Sequence, residues 1–258
     1  MQLTDTHAHL YLPEFQEDLE TVLGNSRNLG IRYIFMPNID SSTIGSLAKV
    51  CTDHSDVCFP LMGLHPCSVK EDFEKELELI KAQLDQGTYY GVGEIGIDLY
   101  WDKTFLPQQE KVFRRQIQWA KDMGLPIIIH ARNSFDEIFH IVDELNDESL
   151  GGIFHCFSGS LEQAKKIIEY GGFKLGIGGV VTFKNAGLDK VVEQLDLGHL
   201  VLETDSPYLA PAPFRGKRNE TPYLIHIAER IAQLKNTSIE QVAAITTANA
   251  AEIFNFEA

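Results

Sequence analysis

Eight short apolar runs, rich in Leu, Ile and Val, recur along this 258-residue chain and alternate with longer amphipathic segments. Nearly continuous apolar runs are typical of parallel strands that are buried on both faces, and the segments between them are long enough for crossover helices. The alternation predicts an α/β fold, a single-domain TIM (β/α)8 barrel, slightly distorted, that spans residues 1–258. The predicted strands are residues 2–6, 32–37, 59–63, 89–93, 126–129, 152–154, 173–177 and 200–202.

Helical periodicity and capping signals fill the gaps between these strands. Pro107 and Gly124 bracket one predicted helix. Capping-box patterns at Ser134 and Ser160 mark the starts of two more. Further helices are predicted over residues 14–29, 73–84, 224–234 and 239–254.

The charge balance restricts the possible partners. With 37 acidic and 22 basic residues, the formal net charge is −15. Such a chain is a poor candidate for coating nucleic acid electrostatically. We therefore expect contacts limited to DNA ends or a small phosphate ester substrate, and no obligate protein partner.

Cysteine usage and hydropathy indicate the compartment. The four cysteines are irregularly spaced and form no CxxC pair. No stretch resembles a signal peptide, and none approaches the roughly 18 apolar residues of a membrane span. These features favour reduced thiols, a cytoplasmic location and no membrane association.

Seven residues with metal-binding side chains follow the apolar runs directly. Because the C-terminal ends of barrel strands meet at one face, we expect these side chains to share a pocket. Imidazole and carboxylate donors together suit zinc, manganese, magnesium or nickel. The pattern predicts a metal-dependent hydrolase. The residues are His7, His9, His65, Glu94, His130, His155 and Asp205.

The first strand supplies a His-x-His pair. Residues i and i+2 of a strand face the same side, so His7 and His9 can address one ion. Asp5 would lie deeper on that face and could orient a ligand histidine. The alternative for Asp5 is an ordinary hydrogen-bonding group at the strand end.

Glu94 lies in the glycine-rich motif GVGEIGID. Its two carboxylate oxygens could bridge two cations, and the flanking glycines allow close approach. The alternative is a structural ion pair with Arg132. Asp98, farther along the motif, is interpreted as a loop acid rather than a ligand.

His130 and His155 end successive predicted strands, which favours a shared role as ligands. Pro66 follows His65, so that histidine lies at a strand-to-loop turn. There it could bind metal, orient a water molecule or contact a phosphate.

Asp205 ends the last predicted strand, where a carboxylate can bind metal and accept a proton from water. A divalent ion lowers the pKa of bound water enough to supply hydroxide as the nucleophile. Asp205 and Glu94 are accordingly the predicted catalytic residues. Glu203, two residues before Asp205, is predicted as a buried supporting acid or an ion-pair partner.

Basic residues near the predicted face could bind substrate phosphate. Arg132 follows His130, and the motif PFRGKRN places Arg215, Lys217 and Arg218 after the last strand. A basic loop over a metal site can bind phosphate oxygens. The alternative is a solvated run of charges.

Together, the motifs TDTHAHL, GEIGID, LETDSPYLAP and RGKRN resemble the TatD family of metal-dependent deoxyribonucleases, in the amidohydrolase superfamily of TIM barrels. The resemblance implies hydrolysis of DNA phosphodiester bonds with a 3′-to-5′ exonuclease preference, and His65 beside the site as a substrate contact. It implies two divalent metal ions, one held by His7, His9 and Asp205, the other by His130 and His155, with Glu94 bridging.

Two alternative functions remain at this stage. One is a metal-dependent hydrolase of another ester or amide, such as an aminoacyl-RNA ester, a phosphotriester or a cyclic amide. Many relatives in the superfamily bridge their metals with a carboxylated lysine, and Glu94 at that place favours the TatD-like branch. The other is a metal-binding scaffold without turnover, which the intact Asp205 and Glu94 argue against.

Overall fold

The computed structural model describes residues 1–257, in which eight strands alternate with helices and two helices follow the last strand. The strands are β1 (Leu3–Asp5), β2 (Ile31–Pro37), β3 (Cys58–Leu61), β4 (Val92–Asp98), β5 (Ile127–Arg132), β6 (Gly152–Phe154), β7 (Phe173–Ile177) and β8 (Leu200–Leu202). The helices are α1 (Leu19–Asn28), α2 (Ile44–Asp53), α3 (Phe73–Gln86), α4 (Leu106–Met123), α5 (Phe135–Leu145), α6 (Leu161–Glu169), α7 (Leu188–Gln194), α8 (Leu224–Lys235) and α9 (Ile239–Phe254).

Parallel pairing runs around a closed ring. Continuous ladders join β1 to β3 and β4 to β8, and all of their pairs are parallel. Backbone hydrogen bonds bridge the two seams. The Met62 N–H donates to Gly91 O at 3.1 Å, and the Thr6 N–H donates to Leu202 O at 3.0 Å. The prediction of a TIM barrel is confirmed.

The predicted strands all exist, but the fourth was placed wrongly. It runs over Val92–Asp98 rather than 89–93, so Glu94 lies within the strand and Asp98 ends it. The glycines and acids of this motif hid the strand, because polar side chains replace apolar ones where a barrel strand enters the pocket.

Differences also occur at helix starts and at the ends of β3 and β5, and no bounds were predicted for α2 and α7. Residues 13–15 form a separate 3-10 turn, so α1 begins at Leu19 and not at residue 14. The capping box at Ser160 is present. The one predicted at Ser134 is absent, because the Ser134 hydroxyl donates to Ile97 O at 2.6 Å instead.

Side chains alternate between two apolar regions along each strand. Ile127 and Ile129 pack toward the helices, whereas Ile128 points into the barrel. The apolar side chains inside the barrel and the α9 side chains against them are called here the floor cluster: Phe35, Leu61, Ile128, Ile153, Val201, Ala250 and Phe254. The rings of Phe35 and Phe254 stack with centroids 3.7 Å apart, so α9 closes this end of the barrel.

Within residues 1–257, no helix combines the length and apolar character that a membrane crossing requires.

Candidate metal centre

His7 and His9 lie just beyond β1, where backbone hydrogen bonds fix the chain on both sides. The Ala8 N–H donates to Phe35 O at 3.0 Å, and the His9 N–H donates to Ser206 O at 2.8 Å. The Asp205 N–H in turn donates to His7 O at 2.8 Å. These bonds bring residues from opposite ends of the sequence to the same seam of the barrel.

Four side-chain atoms converge at this seam. His7 Nε2 lies 3.1 Å from His9 Nε2 and 3.2 Å from Glu94 Oε2. Asp205 Oδ1 lies 3.8 Å from His7 Nε2 and 3.6 Å from His9 Nε2. Tetrahedral ligands about 2.1 Å from one ion are about 3.4 Å from each other, so the spacing fits a single divalent cation.

Tyr11, which the sequence analysis did not identify, orients His9. Its hydroxyl donates to Pro37 O at 2.5 Å and lies 2.9 Å from His9 Nδ1. Because the hydroxyl proton is committed to Pro37, the oxygen accepts the proton of His9 Nδ1. The Nε2 lone pair of His9 is therefore free for a metal.

The second oxygen of Glu94 faces a different set of histidines. Glu94 Oε1 lies 2.7 Å from His130 Nδ1, 3.2 Å from His155 Nε2 and 3.3 Å from His65 Nε2. The two oxygens of one buried carboxylate thus face two separate groups of donors.

Carboxylates also lie behind two of these histidines. Asp98 Oδ2 is 2.8 Å from His130 Nε2, so Asp98 is part of the site and the loop-acid interpretation was wrong. Glu203 Oε1 lies 3.2 Å from His155 Nδ1 and accepts the Cys156 N–H at 2.5 Å. A Cβ at Gly176 would lie 2.1 Å from Glu203 Oε2, so a larger residue there would displace the Glu203 carboxylate.

His65 presents a proton rather than a lone pair. Its Nδ1 accepts the Cys67 N–H at 3.0 Å, so the neutral ring carries its proton on Nε2. That proton points toward Glu94 Oε1. The tautomer suits a hydrogen-bond donor to an anion better than a metal ligand.

Burial and mutual attraction shift the protonation of the site in opposite directions. Burial favours the neutral form of Glu94, but the surrounding histidines outweigh it and hold its pKa well below the usual range. Burial also opposes charge on His155, yet Glu94 and Glu203 raise the pKa of that ring well above its ordinary value. The ionised Glu94 carboxylate therefore favours positive charge on the neighbouring His155 ring.

Buried polar atoms without hydrogen-bond partners support the same interpretation. Among the described residues, His7 Nδ1, His155 Nδ1 and Glu203 Oε2 have none. His155 Nδ1 and Glu203 Oε1 are close, but they are not aligned for a hydrogen bond. Three other described atoms of this kind lie outside the site: Gln108 Oε1, Asn146 Oδ1 and Thr221 Oγ1. The donor set fits divalent cations because it combines imidazole nitrogens with carboxylate oxygens in one buried pocket.

Asp5 follows its alternative as a hydrogen-bonding group at the strand end, and Arg132 does not form the ion pair that was the alternative for Glu94. Asp5 accepts backbone N–H groups of His7 and Thr204, at 3.3 and 2.9 Å, instead of an imidazole proton. Burial raises the pKa of Asp5 to about 7. Arg132 does not pair with Glu94: its guanidinium carbon lies 3.9 Å from the centroid of the Tyr100 ring.

The basic loop after β8 divides into two parts. Arg215 is exposed, with its guanidinium carbon 3.4 Å from the centroid of the Phe183 ring at the pocket wall, and Lys217 is exposed nearby in sequence. Arg218 is turned away and pairs with Asp18 at 2.6 Å and Glu220 at 3.0 Å. The structure therefore gives Arg218 a structural role in place of the predicted phosphate contact.

Comparison with known proteins agrees with this site. The model of the family described as TatD related DNase matches residues 4–255. An uncharacterized metal-dependent hydrolase of Bacillus subtilis, YabD, is 40% identical over 253 residues, with 98% of each chain covered. The Escherichia coli hydrolase YcfH, named in the same way, is 30% identical and covers 100% of this chain and 97% of its own length.

A solved structure extends the match to three dimensions. The crystal structure of YjjV, a TatD homologue from Escherichia coli, superposes with a TM-score of 0.92 at 27% identity, covering 99% of this chain and 98% of that one. Family match, relatives and fold agree over nearly the whole chain. The chain belongs to the TatD family of metal-dependent hydrolases.

Proposed function

We propose that this hydrolase removes nucleotides from the 3′ ends of DNA at a dinuclear metal centre. The observation that carries the proposal is Glu94, whose two oxygens face separate groups of ligand atoms. One ion would be held by His7, His9 and Asp205, and the other by His130 and His155, with Glu94 shared.

When bound, divalent ions supply positive charge that acidifies water and stabilises the charge growing on phosphate oxygens. The protein positions their ligands. Tyr11 fixes the tautomer of His9, and Asp98 and Glu203 lie behind His130 and His155. Such supporting groups hold ligand rings in the orientation that binding needs.

Asp205 is the group best placed to accept the proton of the attacking water. Although burial opposes charge, the neighbouring rings of His9, His155 and His7 lower the pKa of Asp205, so it is ionised near neutral pH. It lines the cavity, and its side chain is 13% exposed at the pocket mouth. A base must be deprotonated and within reach of the water; Asp205 is ionised and faces the cavity in which the water would be held.

His65 and two basic side chains would position the phosphate. His65 lines the cavity, and its Nε2–H, which faces Glu94 Oε1 at 3.3 Å, could donate to a phosphate oxygen there instead. Arg132 also lines the cavity, and Arg215 stacks on Phe183 at its wall. Lys217 is a weaker candidate, because nothing holds its side chain toward the site.

Metal analysis combined with turnover tests this function. Protein as purified, treated with chelator, and reloaded with Zn²⁺, Mn²⁺, Mg²⁺ or Ni²⁺ is assayed on short 5′-labelled single strands. We expect two ions per chain, loss of activity in chelator, and a ladder that shortens from the 3′ end.

Parallel assays on an aminoacyl-RNA ester and a phosphotriester separate the other hydrolase functions. Turnover of either in preference to DNA would overturn the deoxyribonuclease assignment. Full DNA hydrolysis after verified metal removal would overturn the metal-dependent mechanism. Replacing Arg215 with Ala should raise KM for DNA and leave a small activated phosphodiester unaffected.

A further inference from the structure

Exposed aromatic side chains concentrate at the mouth of the metal pocket. Among the described residues, eight large apolar side chains are exposed, and four of them line this mouth or the groove beside it. These four are Tyr100, Trp101, Tyr208 and Leu209. Trp101 is the most exposed, at 70%. Exposed patches of this kind mark binding surfaces.

Tyr100, Trp101 and Arg132 form one unit, called here the aromatic platform. The rings of Tyr100 and Trp101 are perpendicular, with centroids 4.9 Å apart. The Arg132 guanidinium carbon lies 3.9 Å from the Tyr100 centroid and 5.3 Å from the Trp101 centroid. Planar aromatic and guanidinium groups are the surfaces on which nucleobases stack.

The platform is anchored from below by Asp98. The Oδ1 atom of Asp98 accepts the backbone N–H groups of Tyr100 at 2.9 Å and Trp101 at 3.2 Å. Asp98 is buried, and its other oxygen contacts His130. The backbone that carries the exposed rings is therefore held by the same carboxylate that contacts His130.

The space around the platform accommodates a nucleotide. The main cavity has a volume of about 850 Å³, and its wall includes candidate metal ligands as well as Trp101. A neighbouring groove of about 440 Å³ is lined by Tyr100 and shares Arg132 with it. Cavities of several hundred cubic ångströms hold ligands the size of a nucleotide.

We propose that the aromatic platform binds the nucleobase of the terminal nucleotide whose phosphate lies at the metal centre. The inference rests on the proposed function, and it names the part of the substrate that the metals do not contact. Stacking is tolerant of sequence because every base has a flat face. In an acidic protein, this supplies affinity without a large basic surface.

Fluorescence tests the platform without turnover. The chain has two tryptophans, and Trp119 lies on α4 beside Lys81. In a metal-loaded Trp119→Phe variant, Trp101 is the only tryptophan. Deoxyadenosine 5′-monophosphate should quench its emission saturably, whereas 2-deoxyribose 5-phosphate, which has the same phosphate and sugar, should not.

Kinetics supply a matched test with substrate. Strands that end in a normal 3′ nucleotide are compared with strands that end in a 3′ abasic residue. Trp101→Ala should raise KM for the normal end on the order of tenfold and leave the abasic end unchanged. Trp101→Phe, which keeps a flat ring, should retain most of the affinity.

The outcomes separate this inference from the proposed function. DNA hydrolysis with equal KM for normal and abasic ends would overturn the platform and leave the function intact. Base-dependent quenching without hydrolysis under any metal would overturn the nuclease function and keep the platform. Equal quenching by the nucleotide and the sugar phosphate would exclude base stacking on Trp101.

Discussion

Three strands that lead into the candidate metal site carry a side chain of the floor cluster two residues before a side chain of that site. Ile128 and His130 share one face of β5. Ile153 and His155 have the same spacing at β6, as do Val201 and Glu203 at β8. One step of about 6.6 Å along each strand thus separates an apolar layer from a layer of converging donors.

The two layers contribute differently to stability. The floor cluster gains from burying apolar area and from ring stacking between Phe35 and Phe254. The donor layer crowds ionisable groups together and leaves atoms such as His7 Nδ1 without a partner among residues 1–257. Stability and ligand binding are therefore separated along the length of the same strands, and substitutions should affect them separately.

The largest effect should come from the floor. Phe35→Ala removes a fully buried ring and should lower the free energy of unfolding by about 3–5 kcal/mol. Phe35→Leu, as a matched control, should cost less. Urea unfolding measures both, and metal content per folded chain should stay unchanged. Loss of metal from the folded variant would show that the floor cluster and the metal site are not independent.

Asp205→Asn tests the donor layer. An amide is a poorer ligand and cannot accept the proton, so turnover should fall about 10²-fold or more while secondary structure is retained. Circular dichroism and kcat are the measurements. Near-normal turnover with metal retained would reject Asp205 as both ligand and base.

Tyr11→Phe probes support for a ligand. It removes the hydroxyl that fixes His9 Nδ1, and metal affinity should fall roughly 10- to 100-fold. Tyr33→Phe is the control, because its hydroxyl donates to Glu257 O beside the floor cluster. Metal titration should distinguish the two variants. Equal losses would mean that the Tyr11 hydroxyl has no specific role in metal binding.

The smallest effect is expected for the ion pair between Asp18 and Arg218. A hydrogen bond from Arg218 lowers the pKa of Asp18. A carboxylate whose pKa is lowered in the folded protein stabilises the fold at pH values above its pKa in the unfolded chain. This contribution is lost as the pH falls through the pKa of the folded protein. Because the pair is partly exposed, Asp18→Asn should cost no more than about 1 kcal/mol at pH 7.

The difference between Asp18→Asn and the unmodified protein should begin to shrink below about pH 4, the ordinary pKa of Asp. It should vanish once the pH falls below the lowered pKa of Asp18 in the folded protein, where Asp18 is uncharged, as Asn is at every pH. Thermal unfolding across this range measures it. A difference that persists at low pH would mean that the Arg218 pair does not anchor the loop through charge.

Periodicity was sufficient to predict the ring of strands, because interior and exterior positions of a parallel barrel are both apolar. It failed at β4, where Glu94 and Asp98 occupy interior positions that the pocket makes polar. If the predicted strand had been continued to Asp98, the alternation of side chains along a strand would have placed Glu94 and Asp98 on the same face.

Contacts between segments that are far apart in the chain could not be predicted from the sequence. Arg218 belongs to a basic cluster, and only the approach of α1 shows that Asp18 neutralises it. The same applies to Tyr11, since Pro37 O must accept its proton before its role for His9 becomes apparent. Side-chain type predicts possible chemistry, and tertiary neighbours determine which possibility is used.

Asp98 belongs to both ends of the proposed substrate site, because one oxygen contacts His130 and the other holds the turn of Tyr100 and Trp101. Binding events that act on one shared carboxylate are thermodynamically linked, and such linkage is reciprocal. If the ion held by His130 raises affinity for a stacked base by some factor, the base raises affinity for the ion by the same factor. A nucleotide would then raise the affinity of the protein for this ion, and the ion would be retained best while substrate is present.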